Sequence, residues 1–296
     1  MNDDDVAVFD RHRSLLFTLA YELLGSVADA EDMVQDAYLR WSGRPAGPVE
    51  NPRAYLARVV TRLSLNRLRT LARRREDYVG PWLPEPLLTS PDVADDVVLA
   101  DSVSLALLVV LESLGPRERA VFVLREVFGY SHDEIARAIG STAAAVRQLA
   151  HRARQHVEAR RPRFATDEAT AERVRAEFTH TTLTGDLQGL MDVLAPDVVL
   201  LSDGGGLVSA ARRPIRGADP VARFLLGVVA KAGEGAIASQ LERAIVNGWP
   251  GWLTRAGEQV TSAIQVVVAD GRITQILMVN NPEKLDALTR ARRLSR

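Results

Sequence analysis

The stretch Ser131–Arg154, SHDEIARAIGSTAAAVRQLAHRAR, constrains this chain more than any other. It reads as two short helices separated by a sharp turn. Ser131 can cap the first helix, and Glu134, three residues on, completes a capping box. Ile135, Ala136 and Ile139 fall on one face, and Gly140 supplies the left-handed backbone of a C-cap. Thr142 can cap the second helix, whose first turn is the small run Ala143–Ala145. Long donors follow: Arg147, Gln148, His151, Arg152 and Arg154. A small N-terminal turn followed by long polar side chains suits a recognition helix in a DNA major groove, where Arg and Gln read base edges and neighbouring Arg grip phosphates. The bland alternative is a helical hairpin with a solvated basic face, and the pattern alone leaves the two about even.

The preceding segment, Leu114-Gly115-Pro116-Arg117-Glu118-Arg119, starts another helix with proline at its first position. Ala120, Val121, Phe122, Leu124 and Val127 supply its packing face. Leu114–Arg154 as a whole resembles region 4 of sigma-70-family transcription initiation factors. That resemblance implies −35 promoter contacts at Thr142, Ala144, Arg147, Gln148, His151, Arg152 and Arg154.

Toward the N-terminus, Leu15, Leu16, Leu19, Ala20, Leu23 and Leu24 describe an amphipathic helix that Gly25 stops. Ala30, Met33, Val34, Ala37, Tyr38 and Trp41 give a second helix with a full apolar stripe. Its text, DAEDMVQDAYLRW, resembles sigma region 2.2, which in that family binds the clamp helices of the polymerase β′ subunit. The implied core-binding residues are Asp29, Glu31, Asp32, Gln35, Asp36 and Arg40. A third helix is predicted from Asn51-Pro52 to about Arg75. Arg58, Arg62, Asn66 and Arg69 recur on one face of it, with Arg73 one turn further. Seven arginines and no acid lie between Arg58 and Arg75, whereas a merely soluble helix mixes signs. This stripe resembles sigma regions 2.3 and 2.4, which capture and melt the −10 element.

Net charge is only −1, but charge is segregated: acids gather at Asp3–Asp10, Asp29–Asp36 and Asp92–Asp101, away from the arginine runs. Local patches, not net charge, decide where a polyanion docks. The chain has no cysteine, so disulfides and thiolate chemistry are excluded. An acidic start makes a poor signal peptide, and no apolar run approaches a membrane span, so a cytoplasmic location is expected. The five histidines show no ligand constellation, so no metal and no cofactor are expected.

After the third helix comes a proline-rich linker with the motif Trp82-Leu83-Pro84-Glu85-Pro86. Its prolines forbid regular helix, and an exposed Trp82-Leu83 pair is costly unless something covers it. From Asp167 the texture changes to helices at 167–184, 186–194 and 219–231, then strands at 236–247, 251–255, 259–269 and 272–280, with a buried strand at 198–201. Asp270-Gly271 is a hairpin signal. The expectation is an α+β unit with an antiparallel sheet.

Two sigma regions joined by a linker without region 3 identify the chain as resembling the extracytoplasmic-function group. The motifs WLPEP, DGGG (Asp203-Gly204-Gly205-Gly206) and NPEKL (281–285) resemble the branch with a fused C-terminal SnoaL-like, cone-shaped domain. The expected fold is therefore multidomain: an all-α region 2 bundle at 1–76, a linker at 77–101, an all-α region 4 helix-turn-helix at 102–164, a SnoaL-like α+β domain at 165–289 and a basic tail at 290–296. The expected partners are core RNA polymerase, through its β′ clamp helices and β flap, and promoter DNA, both duplex and melted −10 strand. The C-terminal domain is expected to dock on Trp82, Leu83 and Glu85 near Asp203–Gly206 and act as a built-in regulator. Leu207 stands where the branch carries a lysine after DGGG, so any polar contact of that lysine is absent here.

Two rival readings follow from the same residues. SnoaL-like folds house isomerases, hydratases and cyclases, and His180, Asp197 and Asp203 are the acid–base candidates if the cone is an enzyme or a small-ligand sensor. A stand-alone helix-turn-helix regulator is the other; the region 2.2 resemblance counts against it.

Overall fold

The structure is a computed structural model that describes residues 3–45, 47, 49–89, 102–160, 166–232 and 241–289. The acidic run at 92–101 and the basic tail therefore lie outside the described residues. The chain folds into two compact units, one holding 3–77 and 102–160, the other 78–88 and 166–289. The proline-rich segment thus belongs to the C-terminal unit.

In the first unit, α1 (Asp3–Leu24), α2 (Val27–Ser42) and α3 (Pro52–Glu76) pack on one another. Gly25 takes a positive φ of 67° and turns the chain between α1 and α2. The leucine rows of α1 and the stripe of α2 are buried as the spacing predicts: Leu16, Leu19, Leu23, Ala30 and Ala37 are fully enclosed, and the Trp41 indole donates to Asp5 O at 2.8 Å. Helix α4 (Leu105–Glu112) leads to α5 (Pro116–Phe122), which continues into a π-helical turn at Val123–Val127. Helices α6 (His132–Ile139) and α7 (Ala143–Glu158) then form the helix-turn-helix. Ser131 and Glu134 make the expected capping box, Gly140 is left-handed at φ 64°, and the Thr142 hydroxyl caps Ala145 N.

In the second unit, α8 (Glu168–Thr184), α9 (Leu187–Val193) and α10 (Ala218–Ala232) accompany a six-stranded sheet. The strands are β1 (Leu194–Asp203), β2 (Ile215–Arg216), β3 (Leu241–Val246), β4 (Trp249–Ala256), β5 (Gln259–Ala269) and β6 (Arg272–Val279), in the order β2-β1-β6-β5-β4-β3. The sheet is not purely antiparallel as expected: β1 and β6 pair in parallel. Parallel neighbours need a long crossover, and the helix and hairpins between β1 and β6 provide it. The two-residue β2 was not predicted, and Asn247-Gly248, with φ of 51° and 77°, forms a hairpin turn like that at Asp270-Gly271. The stretch 236–240, expected as strand, lies outside the described residues.

Successive strand residues point to opposite faces. One face carries Val198, Leu200, Trp252, Ile276 and Met278, which join Val174, Phe178, Leu190 and Leu225 from the helices in one core. On the other face Val246, Leu253, Ala263, Leu277 and Val279 are also fully buried. The segment 78–88 and the closing turns α11 (Pro282–Leu285) and Asp286–Thr289 belong to that side, joined to the sheet through Asp203, Val246 and Asn247.

Candidate nucleic-acid interface and linker clamp

Helix α7 presents Arg147, Gln148 and His151 to solvent, and none of the three has a protein partner among the described residues. Val146, Ala150, Ala153 and Val157 anchor the opposite face. Arg152 and Arg154 are exposed but ion-paired, with Glu118 at 3.4 Å and Glu126 at 2.6 Å. The Glu126 pair holds the Arg154 pKa above its ordinary value. Thr142 is occupied as the N-cap, and Ala144 is exposed beside it.

Helix α2 shows the same division. Asp32, Gln35, Asp36, Leu39 and Arg40 form a continuous exposed row at i, i+3, i+4, i+7 and i+8. Two expected members differ. Asp29 is buried and takes two hydrogen bonds from Arg67, at 2.8 and 2.5 Å, because the first turn of α2 lies against α3. Glu31 is half-buried and pairs with Arg13 at 3.4 Å. Leu39, 59 % exposed, is the residue that pattern reading missed. It breaks the polar face, and an exposed leucine in a charged row is the signal that marks it.

The α3 stripe is less open than its spacing predicts. Arg58 stacks over the Tyr55 ring at 5.3 Å, and Asn66 accepts from Arg69 at 2.8 Å. Arg62 donates from Nε to Ala138 O and from Nη2 to Arg137 O, both at 2.9 Å, capping the C-terminal carbonyls of α6. The side chain of Arg73 lies outside the described residues.

The second site is built on the segment 78–88. Asp203, at the end of β1 and fully buried, accepts from Tyr78 Oη at 2.6 Å, Leu83 N at 2.8 Å, Gly205 N at 3.0 Å and Lys284 Nζ at 2.7 Å. Lys284 also donates to Leu83 O at 2.5 Å, and its ammonium lies 4.1 Å from the Trp82 ring centre and 4.8 Å from that of Tyr78. Both backbone polar groups of Leu83 are therefore satisfied by side chains, and the leucine is fully buried. Four residues on, Asn247 repeats the arrangement: its Oδ1 accepts from Leu87 N at 2.9 Å and its N donates to Leu87 O at 2.8 Å. Leu87 is fully buried too. Burial, then the hydrogen bond to Asp203, push the Tyr78 hydroxyl far above its ordinary pKa.

The DGGG turn is shaped by this contact. A Cβ on Gly205, φ 60°, would sit 2.3 Å from Asn281 Nδ2, which itself donates to Tyr78 Oη at 2.9 Å. A Cβ on Gly204 would meet the Val208 carbonyl at 2.8 Å. Of the expected contact residues, Leu83 and Asp203 are at the centre, Trp82 is half-buried over Lys284, and Glu85 is half-buried beside the buried Pro84 and Pro86. Reading Asp203 as no more than a turn residue undervalued it. Tyr78, Asn247, Asn281 and Lys284 were missed. Lys284 had one signal: it is one of only two lysines in a chain with 35 arginines, so its compact ammonium was not replaced by guanidinium. Leu207 is 58 % exposed, and Lys284 supplies the cation, so the missing family lysine leaves this clamp's charge balance intact.

The acid–base candidates do not converge. His180 is exposed on α8, Asp197 is exposed on β1, and Asp203 faces away from the helix-covered core. That core is filled by Phe178, Leu190, Leu200, Trp252 and Ile276. Among the described residues no group of His, Cys, Asp and Glu has a metal-holding arrangement, and no helix is long and apolar enough to cross a membrane.

Comparison with known proteins places these surfaces. Residues 8–74 match the family described as Sigma-70 region 2, and residues 104–157 match Sigma-70, region 4. The chain is 40% identical over 292 residues to the ECF RNA polymerase sigma factor SigJ of Mycobacterium tuberculosis, covering 95% of this chain and 93% of that one. It is 34% identical over 290 residues to the probable ECF RNA polymerase sigma factor SigI of the same species, covering 97% of each. The crystal structure of the Mycobacterium tuberculosis extracytoplasmic function sigma factor SigJ superposes with a TM-score of 0.79 at 36% identity, covering 96% of this chain and 99% of that one.

Proposed function

The chain belongs to the sigma-70 family, in its extracytoplasmic-function group, and from that premise we propose that it directs core RNA polymerase to promoters by reading a −35 element with α7 and a −10 element with α3. The observation that carries this reading is the pair of exposed rows whose polar side chains have no partner in the described fold: Arg147, Gln148 and His151 on α7, and Asp32, Gln35, Asp36 and Arg40 on α2. Folding leaves these groups solvated, and each has the chemistry of its expected partner. Arg147 and Gln148 fit base edges in a major groove. The acidic α2 row, with Leu39 among its charges, fits a basic coiled-coil surface such as the β′ clamp helices. Arg58, Arg62, Asn66 and Arg69 serve the −10 strand.

The C-terminal unit regulates this activity by gripping the linker. The segment that leaves α3 toward the second DNA-reading region is held at Leu83 by Asp203 and Lys284 and at Leu87 by Asn247. A held linker has less reach than a free one, and promoter element spacing is rigid. The enzymatic alternative lacks support from geometry, since His180, Asp197 and Asp203 share no cavity. The deciding experiment maps transcript start sites made by core polymerase with this protein. Start sites with shared upstream elements are expected; silence on every template overturns the reading.

A further inference from the structure

In the C-terminal unit a cleft of about 580 Å³ opens between the first two turns of α8 and the β3–β4 hairpin. That volume lies in the range of small-molecule sites. Ala169, Ile245, Pro250 and Trp252 give it an apolar wall. Its rim is charged but balanced: Glu168 and Glu172 face Arg175 and Arg243. Arg175 is 4 % exposed and bonded to both carboxylates, while Arg243 holds Glu172 at 2.6 Å. The rim therefore offers no net charge to an ion. Trp252 is itself 4 % exposed, and its indole N–H has no hydrogen-bond partner among the described residues. Buried indole N–H groups are ordinarily paired, so a lone one in a cleft wall marks a place for an acceptor.

We propose that this cleft binds a neutral, flat, largely apolar small molecule whose carbonyl or hydroxyl oxygen accepts from Trp252 Nε1. The wall selects the apolar body, the balanced rim selects against net charge, and the indole selects an oxygen acceptor. Ile245 and Pro250 flank the hairpin turn that carries Asn247, the clamp on Leu87. Occupancy of the cleft is therefore felt at the linker through two residues of chain on either side. This last step rests on the regulatory reading above; the binding step does not.

The probe is 6-propionyl-2-dimethylaminonaphthalene, a neutral, flat fluorophore with one ketone, titrated into the full chain. Saturable, blue-shifted emission at one site per chain is expected. Trp252→Phe keeps the ring and removes the donor, and should weaken binding about tenfold, the value of one net hydrogen bond. Ala169→Trp fills the cleft from an exposed helix position and should abolish saturation without unfolding the unit. Absence of saturable binding in the wild type, or wild-type affinity in Ala169→Trp, overturns the site. Hydrogen exchange at the Leu87 amide, with and without saturating probe, reads the coupling. A several-fold change supports it, and an unchanged rate overturns the coupling while leaving both the site and the sigma assignment to stand on their own tests.

Discussion

Each unit buries a carboxylate near a buried cation, and the two are built differently. Asp203 in the C-terminal unit accepts four hydrogen bonds, one of them from Lys284. Glu22 on α1 accepts one at its side chain, from Ser102 at 2.9 Å, and its Oε2 has no partner among the described residues. Arg119 donates to the Glu22 main-chain carbonyl at 3.0 Å and pairs with Glu112, leaving its own Nη2 unpartnered. Burial pushes the Glu22 carboxyl up to about 8, against the pull of Ser102 and Arg119, and lowers the Arg119 guanidinium to about 9. At neutral pH Glu22 is therefore protonated and Arg119 charged. A carboxylate given enough donors is a fixed fastening; one given too few is neutral and responds to pH. The first fastens the linker to the sheet. The second joins α1 to the segment that begins the region 4 half of its unit.

The largest effect expected from this contrast is at the linker clamp. Lys284→Ala leaves Asp203 buried without its cation, and breaking such a pair costs about 3–5 kcal/mol. Thermal unfolding of the full chain should show the C-terminal transition drop, with Leu83 losing amide protection. An unchanged transition would mean the pair contributes nothing to holding the segment.

Glu22 gives a smaller, pH-dependent effect. Its folded pKa, about 8, lies above the ordinary 4.5, so the folded state retains a proton that the unfolded chain releases. The favourable contribution is whole below pH 4.5 and is lost as pH rises through 8. At pH 7 the loss is about 3 kcal/mol relative to acid. Glu22→Gln should remove this slope and raise stability at pH 8, measured by urea unfolding at a series of pH values. A variant with the wild-type slope would break the comparison between the two carboxylates.

Exposed polar rows should behave oppositely to both buried sites, changing recognition and not stability. Arg147→Ala or Gln148→Ala should relax base preference by about 1–3 kcal/mol per lost bidentate contact. Arg154→Ala should weaken binding to all sequences alike, less than a free arginine would, because Glu126 already holds it. Binding titrations against altered −35 sites separate the two outcomes. The smallest change in stability belongs to the double charge reversal Asp32→Lys with Asp36→Lys, within about 0.5 kcal/mol. That variant should nonetheless lose co-purification with core polymerase; retained association would remove the α2 row from the interface.

Much of this was legible in the residue order because it depends on local rules. Ser131, Glu134, Gly140 and Thr142 define their helix ends through contacts three or four residues away. The α2 stripe sorts itself into inner and outer faces by period alone, and Asp270-Gly271 closes its hairpin from its own backbone preferences. What only tertiary structure decided lies at long separation in sequence. Asp203 meets Leu83 across 120 residues and Lys284 across 81, and Asn247 meets Leu87 across 160. Arg62 reaches the α6 carbonyls across 76. Asp29 sits in an acidic run that reads as solvated, yet it turns inward because Arg67 waits on α3. Periodicity reports which face of an element is apolar, and so which face is buried. It carries no record of which distant donor will satisfy a polar group on that face, since the partner is chosen by the packing of whole elements.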